Sequence, residues 1–408
     1  MSTSRPLRAA AARLFFGYFF ILLLLTVSAA QWSVLAWLAS IGLGLSLPWW
    51  AHGLAIGGVY AGNRALTTSG ARRRGGVFRL YTATAFVTLF CGAFLGLSAL
   101  VFLVAQVIVG GVSAHALSAG GQAAVGAGLQ DGFRWIAASG MAAIALAMGY
   151  GYTFGQRALR VTSIPLSVKG LERPLRVAQI SDIHVGQNLA ADQLRAFVAR
   201  VNATEPDLIC ITGDIADSAL SDLPRFFPIL GELRARHGVC AILGNHDHYA
   251  GADRVAAALR RWTPIRVLRD SAVTLQLDGA RLHIIGLDDR GRDWARGVQS
   301  DGRLAELLAA VPADMPVLLL AHRPDIFHQA AAAQVALTLS GHTHGGQLAI
   351  PWFGGRRRNL AEFVTPFNRG LYRSSESSLY VNSGLGVTGQ RIRLWTPREI
   401  SVFELTPA

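Results

Sequence analysis

The sequence predicts two structures in series, a membrane region of four helices followed by an α/β domain of about 250 residues. Three observations carry this reading. Charge is missing from long stretches of the first part, short β-rich runs alternate with helical ones from residue 160 onward, and polar residues able to bind metal recur where those runs end.

Composition sets the frame. Of 408 residues, 51% are hydrophobic and 15% charged, with a formal net charge of +13. Soluble globular domains average about 25% charged residues, so neither an ordinary soluble enzyme nor a disordered chain fits. A surplus of 38 basic over 25 acidic residues would point to nucleic acid if it covered a soluble surface. Its distribution says otherwise. Residues 1–155 hold nine Arg, no Lys and only Asp131, a balance of +8, whereas residues 156–408 hold 29 basic and 24 acidic residues, a balance of +5. Basic residues at the edges of apolar stretches are a membrane pattern, and no nucleic-acid partner is expected. Cys91, Cys210 and Cys240 lie in apolar settings without metal-site spacing, and read as small buried hydrophobes.

In the first region, Leu14 to Asn63 contains no acidic or basic residue except His52, taken as neutral. As helix this run would extend about 75 Å, enough for two passes through a bilayer core of about 30 Å. The passes are expected at Leu14–Ala30 and Trp32–Val59 with a turn at Gln31, followed by Tyr81–Gly110 and Trp135–Phe154. Trp32, Trp49, Trp50 and Trp135 fall near the proposed ends, as interfacial aromatics do. Arg5, Arg8 and Arg13 precede the first pass; Arg64, Arg72, Arg73, Arg74 and Arg79 separate the second from the third; Arg157, Arg160 and Lys169 follow the fourth. The positive-inside rule then puts both termini, and everything after residue 155, in the cytoplasm. A competing reading makes residues 1–30 a cleaved leader ending at Ser28-Ala29-Ala30. His52, His115 and Asp131 are scattered, so this region reads as an anchor (1–155).

In the second region (156–408), strands are expected at Leu175–Ile183, Asp207–Ile215, Gly238–Leu243, Arg281–Leu287, Val317–Ala321, Ala336–Ser340 and Leu379–Asn382. Helices are expected at Ala190–Asn202, Ala252–Trp262, Gly302–Ala310 and Pro324–Gln334. Ser181-Asp182-Ile183-His184 closes the first strand, Gly213-Asp214 the second and Gly244-Asn245-His246-Asp247 the third. His322 and Gly341-His342-Thr343-His344 close two later ones. In open α/β sheets, ligands bind beyond the strand ends. On an extended chain Asp182 and His184 would project to one side, as would His342 and His344. Gly213, Gly244 and Gly341 suit tight turns with backbone close to a bound ion.

Imidazole, carboxylate and amide donors suit borderline metals such as Mn²⁺, Fe²⁺ or Zn²⁺ better than Ca²⁺. Seven candidate ligands are too many for one ion and suited to two. Two divalent ions with two Asp leave a charge of about +2, which attracts a phosphate and can activate water while clamping phosphoryl oxygens.

The ordered set Asp-x-His, Gly-Asp, Gly-Asn-His-Asp, His, Gly-His-x-His resembles the calcineurin-like metallophosphoesterase superfamily. The continuation His344-Gly345-Gly346-Gln347, then Gly370-Leu371-Tyr372, Asn382-Ser383-Gly384-Leu385-Gly386 and Arg391-Ile392-Arg393-Leu394, resembles its membrane-anchored bacterial branch. The resemblance covers about residues 160–405. It implies a four-layer αββα sandwich, two sheets flanked by helices. One metal would be held by Asp182, His184, Asp214 and His344, the other by Asp214, Asn245, His322 and His342, with Asp214 shared. His246 would stabilise the transition state or protonate the leaving oxygen, oriented by Asp247 or another acid. The implied reaction is hydrolysis of a phosphodiester or pyrophosphate bond by a metal-bound hydroxide.

A cytoplasmic domain tethered to a bacterial inner membrane is well placed to act on a phosphorylated, lipid-linked substrate. The loop Pro351-Trp352-Phe353-Gly354-Gly355-Arg356-Arg357-Arg358 joins two aromatics to three Arg and would suit an anionic membrane surface; the alternative is a solvated basic loop with Trp352 packed on the domain. The resemblance equally allows a broad phosphodiesterase or phosphatase acting on soluble substrates. A regulatory domain on a transporter or sensor is a further alternative.

Overall fold

The computed structural model describes residues 4–68, 75–186, 188–217, 220–277, 280–289, 302–312 and 315–408, with backbone only for 4–17, 68 and 280. Arg72, Arg73 and Arg74 lie outside the described residues. The chain divides into two compact units, Met1–Gly149 and Tyr150–Ala408.

The first unit is built from α1 (Ser4–Leu43), α2 (Trp49–Thr68), α3 (Gly76–Ala116) and most of α4 (Ala119–Thr153). The expected turn at Gln31 does not form, and α1 runs through it as one helix of 40 residues. The physical reason is that the Gln31 amide is satisfied within the bundle, where its Oε1 accepts from Asn63 Nδ2 at 2.8 Å. The chain turns instead between α1 and α2, at Gly44, whose φ is +64°, and Pro48. Three stretches are long and apolar enough to cross a membrane, Tyr18–Leu43, Gly76–Ala116 and Ala119–Arg157. Four spans are expected, and α2 is not among the three found: it is a helix, but Trp49, Trp50, His52, Asn63 and Arg64 make it more polar than the others.

Of these, His52 and Asn63 find partners on neighbouring helices, whereas Trp49, Trp50 and Arg64 are exposed. Asn63 also donates to Ser28 Oγ at 2.9 Å and accepts from Tyr81 OH at 2.7 Å, and Trp32 Nε1 donates to His52 Nδ1 at 3.0 Å. Helices α1 and α3 meet where Gly92 has no side chain: a Cβ there would lie 2.8 Å from the Ala30 Cα. Small-residue contacts of this kind let helices pack in lipid, where apolar burial supplies no drive. Leu100, Val107 and Leu146 point outward, as lipid-facing residues do.

In the second unit the strands are β1 (Leu159–Val168), β2 (Leu175–Ile180), β3 (Leu208–Thr212), β4 (Val239–Ile242), β5 (Arg266–Val267), β6 (Ser271–Leu277) and β7 (Ala280–Gly286). Then come β8 (Val317–Leu320), β9 (Leu337–Ser340), β10 (Ala349–Pro351), β11 (Arg357–Asn359), β12 (Gly370–Ser374), β13 (Ser377–Val381) and β14 (Arg398–Pro407). One six-stranded sheet runs β1-β14-β2-β3-β4-β5 and another β12-β13-β9-β8-β7-β6. Each has parallel strands at its centre: β2 through β5 in the first, and β7, β8, β9 and β13 in the second. The helices are α5 (Ala191–Asn202), α6 (Leu223–Leu230), α7 (Asn245–Ala250), α8 (Ala252–Trp262), α9 (Arg303–Leu308) and α10 (Phe327–Ala332).

Alternation along the strands builds three apolar layers. Val177, Leu208 and Ile242 of the first sheet meet Ile284, Leu318 and Leu339 of the second in the middle. Ile209 and Ile211 face Phe197, Phe227 and Leu259 on the helices outside the first sheet, and Leu319 and Val381 face Phe327 and Leu304 outside the second. The unit is therefore a four-layer αββα sandwich. Cys210 and Cys240 lie opposite each other on β3 and β4 as free, buried thiols. Every expected strand occurs, but β2 stops at Ile180 and β3 at Thr212, each three residues early. The residues so released form the loops of the site.

Candidate metal centre

Each parallel strand near the middle of the sandwich delivers its next residues to one place. Asp182 and His184 follow β2, Asp214 follows β3, Asn245 and His246 follow β4, His322 follows β8, and His342 and His344 follow β9. The extended-chain argument for the two i, i+2 pairs fails, because Asp182, His184, Asp214, His342 and His344 all have φ between +49° and +70°. Asp and His tolerate this left-handed region better than most residues, yet each such residue costs of order 1 kcal/mol. The loops hold one another in place. Asp182 N–H donates to Gly213 O and His184 N–H to Asp214 O, both at 3.0 Å, and Gly341 N–H donates to His322 O at 3.0 Å. Close packing explains two glycines: a Cβ on Gly244 would strike Asp214, and one on Gly341 would strike Ser181 and Asp182.

The seven expected ligands do converge. Asp182, His184 and His344 form one group and Asp214, His322 and His342 another, with the donor atoms of each group within 4.8 Å of one another. Asn245 Oδ1 lies 3.0 Å from His342 Nδ1. Asp214 joins the groups, its Oδ2 lying 3.2 Å from His322 Nε2 and 3.6 Å from His184 Nε2. His184 Nε2 and His344 Nε2 face each other at 3.1 Å.

The donor chemistry fits metal ions. His322 Nδ1 donates to Thr212 O at 2.8 Å, which turns Nε2 toward Asp214. That Nε2 is buried without hydrogen-bond geometry to any partner, as is His184 Nδ1. A lone pair pressed on a carboxylate needs a positive charge between them, and fixing the far nitrogen on a carbonyl is how metal-binding imidazoles are oriented. The electrostatics show the same demand. Burial lowers the pKa of His322, but Asp214 and then Asp182 outweigh it and carry the group up to about 10. Burial pushes Asp182 up to about 6, the charge of Asp214 adding to it and His322 opposing. Burial also pulls His184 down to about 4 and His342 to about 3, leaving these imidazoles neutral with lone pairs available.

Of the two expected alternatives for the acid beside His246, Asp247 or another, the second is found. Asp247 does not orient His246: its carboxylate accepts backbone N–H groups from Ile215 at 3.1 Å, Ala216 at 2.7 Å and Gly244 at 2.9 Å, tying the β3 and β4 loops together. The acid beside His246 is Asp217, whose Oδ1 lies 3.4 Å from His246 Nδ1. The sequence signal was Gly213-Asp214-Ile215-Ala216-Asp217, a second acid three residues after the first. Burial lowers the pKa of His246, and the Asp217 contact together with the charge of Asp214 more than reverses it. Also unanticipated is the role of Arg393, fully buried, which donates to the carbonyls of Ser383 at 2.8 Å, Gly384 at 3.0 Å and Gly386 at 2.7 Å. That loop backs the centre, because Gly386 N–H donates to Asp182 O at 2.6 Å.

Two sheets sharing a carboxylate-imidazole centre at their strand ends define the architecture of a metal-dependent phosphoesterase. The calcineurin-like phosphoesterase family model matches residues 175–346. The Bacillus subtilis metallophosphoesterase YkuE is 32% identical over 286 residues, covering 65% of this chain and 93% of YkuE. A Campylobacter jejuni metallophosphoesterase is 32% identical over 247 residues, covering 60% of this chain and 63% of its own length. A bovine transmembrane protein with metallophosphoesterase domain is 31% identical over 261 residues, covering 61% of this chain and 57% of its own. A solved Thermus thermophilus structure, 15% identical, covers 52% of this chain and 90% of its own at a TM-score of 0.36. The chain belongs to the calcineurin-like metallophosphoesterase family.

Proposed function

We propose that residues 156–408 form a catalytic domain that hydrolyses phosphodiester or pyrophosphate bonds, and that residues 1–155 anchor it in a bacterial inner membrane. The observation that carries this is the Asp214 carboxylate, placed between two imidazole groups that each need a cation. Asp182, His184 and His344 would hold one divalent ion and Asn245, His322 and His342 the other, with Asp214 shared. When bound, such a pair lowers the pKa of water and neutralises phosphoryl oxygens. Mn²⁺ suits the mixed donor set, as do Fe²⁺ and Zn²⁺.

The chain's own residues supply the rest. Asp217 on Nδ1 leaves His246 Nε2 to carry the proton, and the imidazole gives it to the leaving oxygen. His322 is fixed by the Thr212 carbonyl and His342 by Asn245. Arg393 keeps the Ser383–Gly386 loop closed behind Asp182 and so limits water at that side.

Membrane attachment favours a lipid-linked phosphorylated substrate over a soluble one. Helices long and apolar enough to cross a membrane support attachment to a bilayer, and Trp352 and Phe353 are exposed rather than packed on the domain. Purified full-length protein should hydrolyse an aryl phosphodiester with Mn²⁺, lose that activity to a chelator, and convert phospholipid or nucleotide-linked lipid to products seen by mass spectrometry. Turnover of soluble nucleotides or phosphoproteins, with no lipid product, would replace the substrate reading.

A further inference from the structure

The segment after the His344 loop is an excursion built of apolar and basic side chains. Ile350, Trp352, Phe353, Leu360 and Phe363 are between 54% and 86% exposed. The rings of Trp352 and Phe353 meet edge-on at 5.5 Å. Arg356, Arg357 and Arg358 are set against a single acid, Glu362, which pairs with Arg358 at 2.6 Å. Arg369 and Arg160 stand near enough to Arg357 to help burial lower its pKa, so positive charge is concentrated on this side.

The hairpin of β10 and β11 rests on residues 394–395. Ala349 N–H donates to Leu394 O at 2.9 Å, Leu394 N–H to Gln347 O at 3.0 Å, and Arg357 to the Trp395 carbonyl. The adjoining residues 390–393 hold the place where the chain leaves α4. Arg393 N–H donates to Gly151 O at 3.3 Å, Tyr152 OH to Gln390 Oε1 at 3.0 Å, and Arg391 Nε to Gln156 Oε1 at 3.2 Å. Excursion and helix foot are thus fixed on one short segment of the second unit. The foot ends an apolar stretch, Ala119–Arg157, long enough to cross a membrane. It too presents aromatic rings, Tyr150 and Phe154, stacked at 6.1 Å and exposed.

We propose that residues 350–363, together with Tyr150 and Phe154, form a seat for an anionic bilayer surface, with rings at headgroup level and Arg356 and Arg358 on lipid phosphates. Lipid is the occupant because the chain's own membrane-crossing stretch ends on the segment that carries the excursion, and because aromatic and basic groups are interleaved there. The tether keeps this surface at high effective concentration beside the bilayer. β10 begins five residues after His344, so the seat would hold the ligand loop at headgroup depth. That consequence deepens the lipid-linked reading and rests on it; the seat itself does not.

The test uses the full chain in phosphatidylcholine vesicles with and without phosphatidylglycerol. Cys91, Cys210 and Cys240 are buried, so a spin label on Phe353→Cys reports alone, with Asp192→Cys on α5 as control. The label at 353 should collide with oxygen and be shielded from an aqueous nickel chelate, the label at 192 the reverse. Adding Arg356→Glu and Arg358→Glu should move position 353 toward the nickel pattern, and phosphatidylglycerol should no longer matter. A nickel pattern at 353 matching the control overturns the seat, as does shielding from both reagents, which would mean a protein partner or second copy. Hydrolysis of a soluble aryl phosphodiester by the labelled proteins separates the two readings. Insertion without hydrolysis overturns the reaction and leaves the seat; hydrolysis with a water-exposed label overturns the seat alone.

Discussion

His246 Nδ1 lies 3.4 Å from Asp217 Oδ1, although Asp247 is its neighbour along the chain. Asp217 raises the affinity of the imidazole for a proton against the effect of burial. Asp217→Asn should therefore lower the His246 pKa. A group that acts as an acid stops working as pH rises through its pKa, so the alkaline limb of the kcat profile should move to lower pH. A fall in kcat of about 10–100-fold is expected, with the melting temperature unchanged.

Asp247→Ala should behave in the opposite way. It strips the acceptor from three backbone N–H groups in a dry interior, each worth roughly 1–3 kcal/mol when orphaned. The melting temperature should drop and metal content fall, while any residual activity keeps the alkaline limb of the unsubstituted protein. A shifted limb with normal stability would return the orienting role to Asp247.

Asp214→Asn weakens the positive-charge demand of both imidazole groups at once. Metal analysis should show loss at both positions, with hydrolysis of the aryl phosphodiester reduced more than about 100-fold. Asp182→Asn touches one group and should spare much of the other's metal. Equal loss in the two variants would mean that Asp214 is not shared.

The orientation of the chain turns on α2. The Arg-rich flanks at residues 5–13, 64–79 and 157–160 fall on one side only if α2 crosses. Its polar residues do not forbid this, because Asn63 and His52 find partners on α1 and α3, and satisfied polar groups are tolerated in lipid. A periplasm-dependent reporter fused at Ala408 should be inactive, and Asn63→Leu should weaken the bundle by about 1–2 kcal/mol in detergent.

Arg393→Lys should loosen the centre without touching a ligand. An ammonium cannot reach the three carbonyls that the planar fork binds, so the Ser383–Gly386 loop should detach from Asp182. Stability should fall by roughly 2–4 kcal/mol, and more metal should be needed for half-maximal activity.

The side chains that converge were legible in the sequence because their chemistry is rare and ordered: carboxylates, an amide and imidazoles after runs of β-branched and aliphatic residues, with glycine just before Asp214, Asn245 and His342. Their backbone was not, because a left-handed φ at Asp182 or His344 is imposed by contacts between loops that only the closed sandwich brings together. Asp217 was missed because proximity in sequence pointed to Asp247. Helix α6 was hidden by Pro224 and Pro228, the first tolerated in its opening turn and the second inside it. A turn is expected at Gln31 because an amide in an apolar run calls for a polar partner, and here that partner is Asn63 and not water.

Strand β14 follows every other strand in chain order yet lies between β1 and β2, parallel to the first over ten register pairs and antiparallel to the second. While the chain is being made, β1 therefore waits beside an open slot for some 230 residues, from Val168 to Arg398. At about 5–20 residues per second that is a delay of the order of ten seconds or more. The loop behind the site gains its support from β14, because Glu399 N–H donates to Gly384 O and the Glu399 carboxylate accepts from Ser383 N–H. Closure of the centre is thereby coupled to the docking of β14, the strand that fills the slot between β1 and β2.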